Sequence, residues 1–231
     1  MNERIMVIIP AFNEGDSIVN VIHDIPKNLV SEIVVVNNAS NDSTEINSKN
    51  AGATVIREDR RGYGYACLKG IEYAASKNGL ERPDVVVFLD GDYSDYPNEM
   101  KELVKPILEE DYDLVVGSRM LGKREKGSML PQSIIGNAVA TTFIKWFYGA
   151  KYTDLGPFRA IKFDKLLELN MQDKTFGWTV EMQIKAVKKG LRYCEVPVSY
   201  RSRIGVSKIT GTLTGTIRAG YKILLMIFKH L

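Results

Sequence analysis

Asp90-Gly91-Asp92 is where residue types and spacing in this chain most directly allow chemistry: two carboxylates flank a residue with no side chain, at the end of the apolar run VVVFLDGDYSD (85–95). Where a buried strand meets a loop, such a pair offers the hard oxygen ligands with which Mg2+ or Mn2+ grips a diphosphate. Gly91 would let phosphates approach the backbone closely. Paired acids at strand ends also occur as solvated turn residues, so the elements around them decide between the two readings.

Those elements read as alternating apolar strands and helical periods, the mark of a parallel sheet with crossover helices. Strands are expected near 5–11, 32–37, 53–57, 84–90, 113–118 and 191–200. Between the fourth and fifth, Pro97 opens a helix whose Met100, Leu103, Val104, Ile107 and Leu108 keep i, i+3, i+4 spacing, so one face packs on the sheet. Ligands of open parallel sheets bind beyond the carboxyl ends of the strands. Phe12 to Glu14, Asn37-Asn38, Asp90 to Asp92 and Arg119 all fall there. The expected architecture is α/β, a mostly parallel open sheet with helices on both faces. The Gly- and Lys/Arg-rich stretch LGKREKGSMLP after Arg119 reads as a loop, either solvated or a lid.

The motifs IMVIIPAFNE (5–14), EIVVVNNASNDS (32–43) and LDGD resemble the signature of family-two glycosyltransferases with the GT-A nucleotide-sugar fold. In the second half, TDLGPFRAI (153–161), FGWTVEMQ (176–183), EVPVSYRSRIG (195–205) and Ser207-Lys208 are similar to the polyprenyl-phosphate (dolichyl-phosphate) sugar transferases. The resemblance implies that Pro10, Phe12 and Glu14 contact the nucleoside; the rival reading of Glu14 is a first-turn helix acid. It also implies that RSRIGVSK (201–208) closes over the donor, so Arg119, Arg203 and Lys208 are expected to face phosphates. Arginine can fork onto two phosphate oxygens and lysine acts as a point charge. The alternative for each is a solvated surface cation. Asp154 and Glu181 lie in matched motifs and read equally well as structural partners of backbone or of Arg159.

Asn37 and Asn38 stand where the family usually carries Asp-Asp. An amide offers one acceptor and one donor, which suits the uracil edge better than guanine, so a UDP-sugar is favoured over a GDP-sugar. A cap or turn role is the competing account. Gly62-Tyr63-Gly64 opens a helix after Arg60-Arg61, which is either an anion cradle involving Gly64 or an ordinary helix start. Ser94 departs from the Gln or Met that several dolichyl-phosphate mannosyltransferases carry there.

Composition bounds the rest. At 231 residues and 45% apolar, the chain suits a single domain over 1–231, with a nucleotide-sugar half near 1–120 and an acceptor half near 121–231. A net charge of +3 with acids and bases interspersed gives no case for nucleic acid. His23 and His230 are the only histidines, Cys67 and Cys194 form no CxxC, and no GxSxG is present, which argues against zinc and a serine triad. The cysteines suggest a reducing compartment. The N-terminus reads as going straight into a strand without a leader, and no apolar run reaches the 18 or so residues of a membrane span.

Residues 134–148 (IIGNAVATTFIKWFY) are apolar almost all round, so that helix is expected in the core or against isoprenoid. In a final helix near 212–229, Arg218, Lys222 and Lys229 fall within about 40° of one another on the helical wheel. Ile223, Leu224, Ile227, Phe228 and Leu231 spread opposite. That arrangement suits either a membrane surface or packing on the sheet.

The expected activity is therefore inverting transfer of a sugar to a polyprenyl phosphate, by a protein peripheral on the cytoplasmic membrane face. A phosphate acceptor is already ionised and needs no general base, so positioning and stabilisation of the departing nucleoside diphosphate remain. The alternatives are a saccharide hydroxyl acceptor, which would need a carboxylate base, and a catalytically silent nucleotide-sugar-binding subunit.

Overall fold

A computed structural model describes residues 3–205 and 213–231 of the chain. Its centre is a seven-stranded sheet in the order β3-β2-β1-β4-β6-β5-β7. The strands are β1 (Ile5–Ala11), β2 (Glu32–Asn37), β3 (Thr54–Arg57), β4 (Val85–Phe88), β5 (Leu114–Ser118), β6 (Arg159–Lys162) and β7 (Tyr193–Pro197). The helices are α1 (Ile18–Asp24), α2 (Thr44–Asn50), α3 (Tyr63–Ser76), α4 (Met100–Glu110), α5 (Pro131–Tyr148), α6 (Phe163–Leu169), α7 (Trp178–Lys188) and α8 (Leu213–Lys229).

Strands β3, β2, β1 and β4 are parallel, as the alternating pattern implies. The sheet is nonetheless mixed. β6 runs antiparallel between β4 and β5, and β7 returns parallel to β5. The sequence reading has no strand at β6, because four residues beginning with a fully buried arginine show no apolar period.

Along β1 the side chains alternate strictly, as a pleated strand requires. Met6 and Ile8 join the core under α3 and the later helices, while Ile5, Val7 and Ile9 join the core under α1 and α4. Burial on both faces explains why these strands are continuous apolar runs. In α4, Met100, Leu103, Val104 and Ile107 face the sheet as the spacing implies, but Leu108 stays exposed. Pro97 opens a short 3-10 turn that leads into that helix.

α5 departs from the expectation of core burial. Only Asn137, Ala140, Thr141 and Ile144 are buried, whereas Ile135, Val139, Trp146 and Phe147 are exposed, Trp146 at 70%. It packs beside α8: the Phe143 and Phe147 rings lie 6.0 and 5.5 Å from Phe228, and the Tyr148 hydroxyl donates to the Ile227 carbonyl.

α8 also turns differently from the expected basic stripe. Ile223, Leu224, Met226 and Ile227 pack on the protein, Lys222 points inward to Asp173, and Tyr221, Leu225 and Phe228 face outward. Among the described residues no helix is long and apolar enough to cross a membrane.

Candidate active site

The carboxyl ends of β1, β2 and β4 meet at a cavity of about 320 Å3. Pro10, Phe12, Glu14, Asn38, Asp90, Gly91, Asp92 and Arg203 line it, so eight of the residues singled out in the sequence converge there. The loops that follow these strands are held in an uncommon conformation. Asn13, Ala39 and Tyr93 have φ of 54°, 57° and 64°, left-handed values that side chains other than glycine seldom adopt. The other two such residues described, Asp111 and Asn170, are ordinary helix C-caps. Strain at three neighbouring strand ends is the kind of local cost that concentrates at functional sites.

Asp92 is almost fully buried. One carboxylate oxygen accepts from the Ser94 backbone N–H at 3.0 Å, and the other lies 2.7 Å from a guanidinium nitrogen of Arg203. Arg203 reaches it because the segment around Arg201 to Gly205 lies along the Asp92 turn: Arg201 N–H donates to Ser94 O and Ile204 N–H to Asp92 O. The Arg201 guanidinium sits between the Tyr93 and Tyr96 rings, which pins that segment.

Asp90 has one carboxylate oxygen sealed from solvent with no hydrogen-bond partner. Burial, then the neighbouring Asp92 charge, push its carboxyl up to about 7 against the pull of Arg203. A buried, unpartnered carboxylate oxygen beside a second carboxylate is the electrostatic condition that a divalent cation relieves. The donor set is all oxygen, which fits Mg2+ or Mn2+ and not zinc. Among the described residues no third His, Cys, Asp or Glu completes a cage, so phosphate oxygens and water would fill the remaining positions.

Other expected site residues lie elsewhere. Arg119 does not line the cavity: its guanidinium forks onto Asp154 with two contacts of 2.8 Å, its backbone N–H adds a third, and Asp154 is fully buried. The structural role read for Asp154 is thus found, with Arg119 as its partner. Glu181 is likewise structural, accepting the backbone N–H groups of Gln172 and Asp173.

Both asparagine amides are occupied by the protein. Asn37 donates to Glu45 and accepts from Ser40 N–H, on the side of β2 away from the cavity. Asn38 donates to the Glu58 and Arg60 carbonyls and accepts from Gly62 N–H. The structural reading of this pair therefore replaces the base-reading one: Asn38 shapes the cavity wall and Asn37 braces α2.

Gly64 is also reassigned. A Cβ on Gly64 would lie 2.1 Å from the Asp173 carbonyl oxygen, and Tyr65 N–H donates to Lys174 O. The first turn of α3 is covered by chain and is no open anion cradle. Gly91 is tight as well, since a Cβ there would stand 3.3 Å from the Glu14 side chain. Lys208 lies outside the described residues.

Arg61 and Tyr63, read in the sequence only as part of a possible anion cradle, Phe176, read only within a matched motif, and Thr175, which the sequence reading missed, complete the wall, with the Arg61 guanidinium 4.9 Å above the Phe12 ring. Thr175, Phe176 and Arg203 come from the second half of the chain, so the cavity is not the property of residues 1–120 alone. It also missed Asp95, a buried acid with neither oxygen hydrogen-bonded. Burial, then Asp90, push its carboxyl well above the usual range. Its signal was present as the third acid of DGDYSD.

Comparison with known proteins agrees with this geometry. An uncharacterized protein of Methanocaldococcus jannaschii is 32% identical over 219 residues, covering 92% of this chain and 88% of its own. The undecaprenyl-phosphate mannosyltransferase of Micrococcus luteus is 27% identical, covering 92% and 90%. Glucosyl-3-phosphoglycerate synthase of Mycobacterium tuberculosis, solved with Mn2+, UDP-glucose and phosphoglyceric acid, superposes with a TM-score of 0.76 at 22% identity, over 99% of this chain and 79% of that one. That likeness places the fold among the GT-A glycosyltransferases. The profile of Glycosyl transferase family 2 matches residues 6–169, from the first strand through the antiparallel β6 and α6, and the chain belongs to that family.

Proposed function

We propose that this glycosyltransferase moves a sugar, with inversion, from a nucleotide-sugar donor to a polyprenyl phosphate at the cytoplasmic face of a membrane. The observation that carries the reading is the cavity whose apolar wall, Pro10, Phe12 and Tyr63, ends on Asp90, Asp92 and Arg203. An apolar slot fits a nucleoside and the charged end fits a diphosphate. Asp90 and Asp92 would hold the divalent cation, which supplies charge neutralisation for the departing nucleoside diphosphate. Arg203 adds a fixed cation at the same place, and Gly91 keeps the wall flat. UDP is favoured on the strength of the superposed synthase, whose structures contain UDP with Mn2+ or Mg2+. The asparagine amides no longer supply that argument.

The acceptor reading draws support from the Micrococcus luteus relative, whose acceptor is undecaprenyl phosphate by name. It also draws on the surface around Trp146, Phe147, Leu225 and Phe228, where aromatic and aliphatic side chains stand exposed beside Lys145 and Lys229. Interfacial aromatics flanked by lysine suit anionic headgroups and acyl chains, where a polyprenyl phosphate resides. The test is incubation with Mn2+, a panel of UDP- and GDP-sugars, and a short polyprenyl phosphate. A lipid-linked sugar formed from a UDP-sugar and abolished by EDTA is expected. Transfer to a saccharide hydroxyl with none to the polyprenyl phosphate would overturn the acceptor reading, and preference for GDP-sugars the donor reading.

A further inference from the structure

We infer that Asp173 and Lys222 are a positioning pair through which the last helix, α8, sets the wall of the nucleotide cavity; this rests on that cavity being the donor site. Thr175 and Phe176, which line the cavity, belong to the turn between α6 and α7. Asp173 organises that turn. One of its carboxylate oxygens accepts the backbone N–H of Thr175 at 2.8 Å and of Gly177 at 3.1 Å, and the Thr175 hydroxyl at 3.3 Å. The other lies 2.8 Å from the Lys222 ammonium of α8, with the Asp173 side chain 1% exposed. A buried carboxylate keeps its place only with charge and hydrogen bonds around it, and Lys222 is the cation paired with it among the described residues.

The turn is clamped on its far side by α3. Lys174 O accepts from Tyr65 N–H, and neither Gly62 nor Gly64 has room for a Cβ against the 173–174 carbonyls. α8 presses on the near side, where a Cβ on Gly177 would stand 3.1 Å from the Met226 methyl and from Asp173. The cavity wall is thus a layer held between α3 and α8, and Lys222 is the polar tie across the α8 side. Loss of that tie leaves the Asp173 carboxylate to reorient toward solvent and releases the N–H groups that fix Thr175 and Phe176.

The experiment uses the full chain in four forms: parent, Lys222→Met, Lys222→Arg and, as an exposed control on the same helix, Arg218→Met. Amide hydrogen exchange should be about tenfold faster across 172–178 in Lys222→Met, as expected for loss of a charge-assisted contact. β1 should be unchanged, and the Lys222→Arg and Arg218→Met forms should stay near the parent. Calorimetric titration with UDP in MnCl2 should show an affinity about tenfold weaker in Lys222→Met and recovered in Lys222→Arg. Unchanged exchange over 172–178 overturns the inference, as does loss of protection throughout the sheet, which would make the pair a determinant of the fold. Faster local exchange with unaltered UDP affinity overturns its link to the donor. Should the parent itself fail to bind UDP, the donor reading falls instead, while the exchange comparison still decides the pair.

Discussion

Two arginine–carboxylate pairs stand close to one another at the strand ends and do different work. Arg119 and Asp154 are joined by three contacts of 2.8 Å in a site where the acid is fully buried. Arg203 and Asp92 share one contact of 2.7 Å at the cavity, with the arginine 31% exposed. The first pair is bidentate around a fully buried acid, so Arg119 cannot turn to a ligand without leaving the Asp154 charge buried alone. The second can exchange partners, because one side of the guanidinium still meets the cavity. Solvent access, rather than residue type, separates the buried ion pair from the one that opens on the cavity.

Removing the acid of the cavity pair gives the largest effect. Asp92→Ala should lower sugar transfer by about 100-fold or more, since a cation ligand and its charge stabilisation go together. Its urea midpoint should stay near that of the parent. Transfer at the parental rate, or full turnover in excess EDTA, would end the metal role of Asp92.

On the arginine side, Arg119→Ala should cost about 3–5 kcal/mol of stability, because Asp154 is left as an uncompensated buried charge. Urea unfolding measures it, and a loss below about 1 kcal/mol would put this pair in the class of surface bridges. Arg203→Ala should instead weaken donor binding by about 1.5–3 kcal/mol through one charge-assisted contact, with a smaller stability loss than Arg119→Ala. Unchanged KM and kcat for both substrates would make Arg203 a bystander.

The smallest effects belong to the bracing behind β2. Hydrogen bonds from Arg57 and then Lys49 draw the Glu45 carboxyl down to about 2 from its ordinary 4.5. A depressed acid stabilises above its unfolded value, and that contribution is lost as pH falls from about 4.5 toward 2. Glu45 is a surface group, so Glu45→Gln should cost under about 1 kcal/mol at pH 7 and nothing near pH 2, by thermal melts at both values. Asn37→Ala should leave the ratio of UDP to GDP affinity where it was, because that amide already serves Glu45 and Ser40. A shifted ratio would return base reading to Asn37.

Much of the fold was legible because its signals are local. β1, β2, β4 and β5 announce themselves as apolar runs ended by polar turns. β6 was not legible: Arg159 heads it, and its burial depends on the Thr179, Leu155 and Gly156 carbonyls that receive its guanidinium. α5 and α8 illustrate the same limit. Their composition required a large apolar surface but could not say which side would be covered, since each helix is the other's partner.

The sequence alone determined the family, the parallel half of the sheet and the placing of Asp90 and Asp92 at the end of a buried strand, since strand periodicity and motif order need only neighbours along the chain. Tertiary structure decided which cations are buried and which meet the cavity. Arg119 and Arg203 are the same residue type, and only contacts 35 and 111 positions away, to Asp154 and Asp92, make one a buried brace and set the other in the cavity wall. It decided equally that Asn37 faces α2 and that Lys222 turns inward, because a side chain's partners depend on what the fold brings beside it and on how much water is left there.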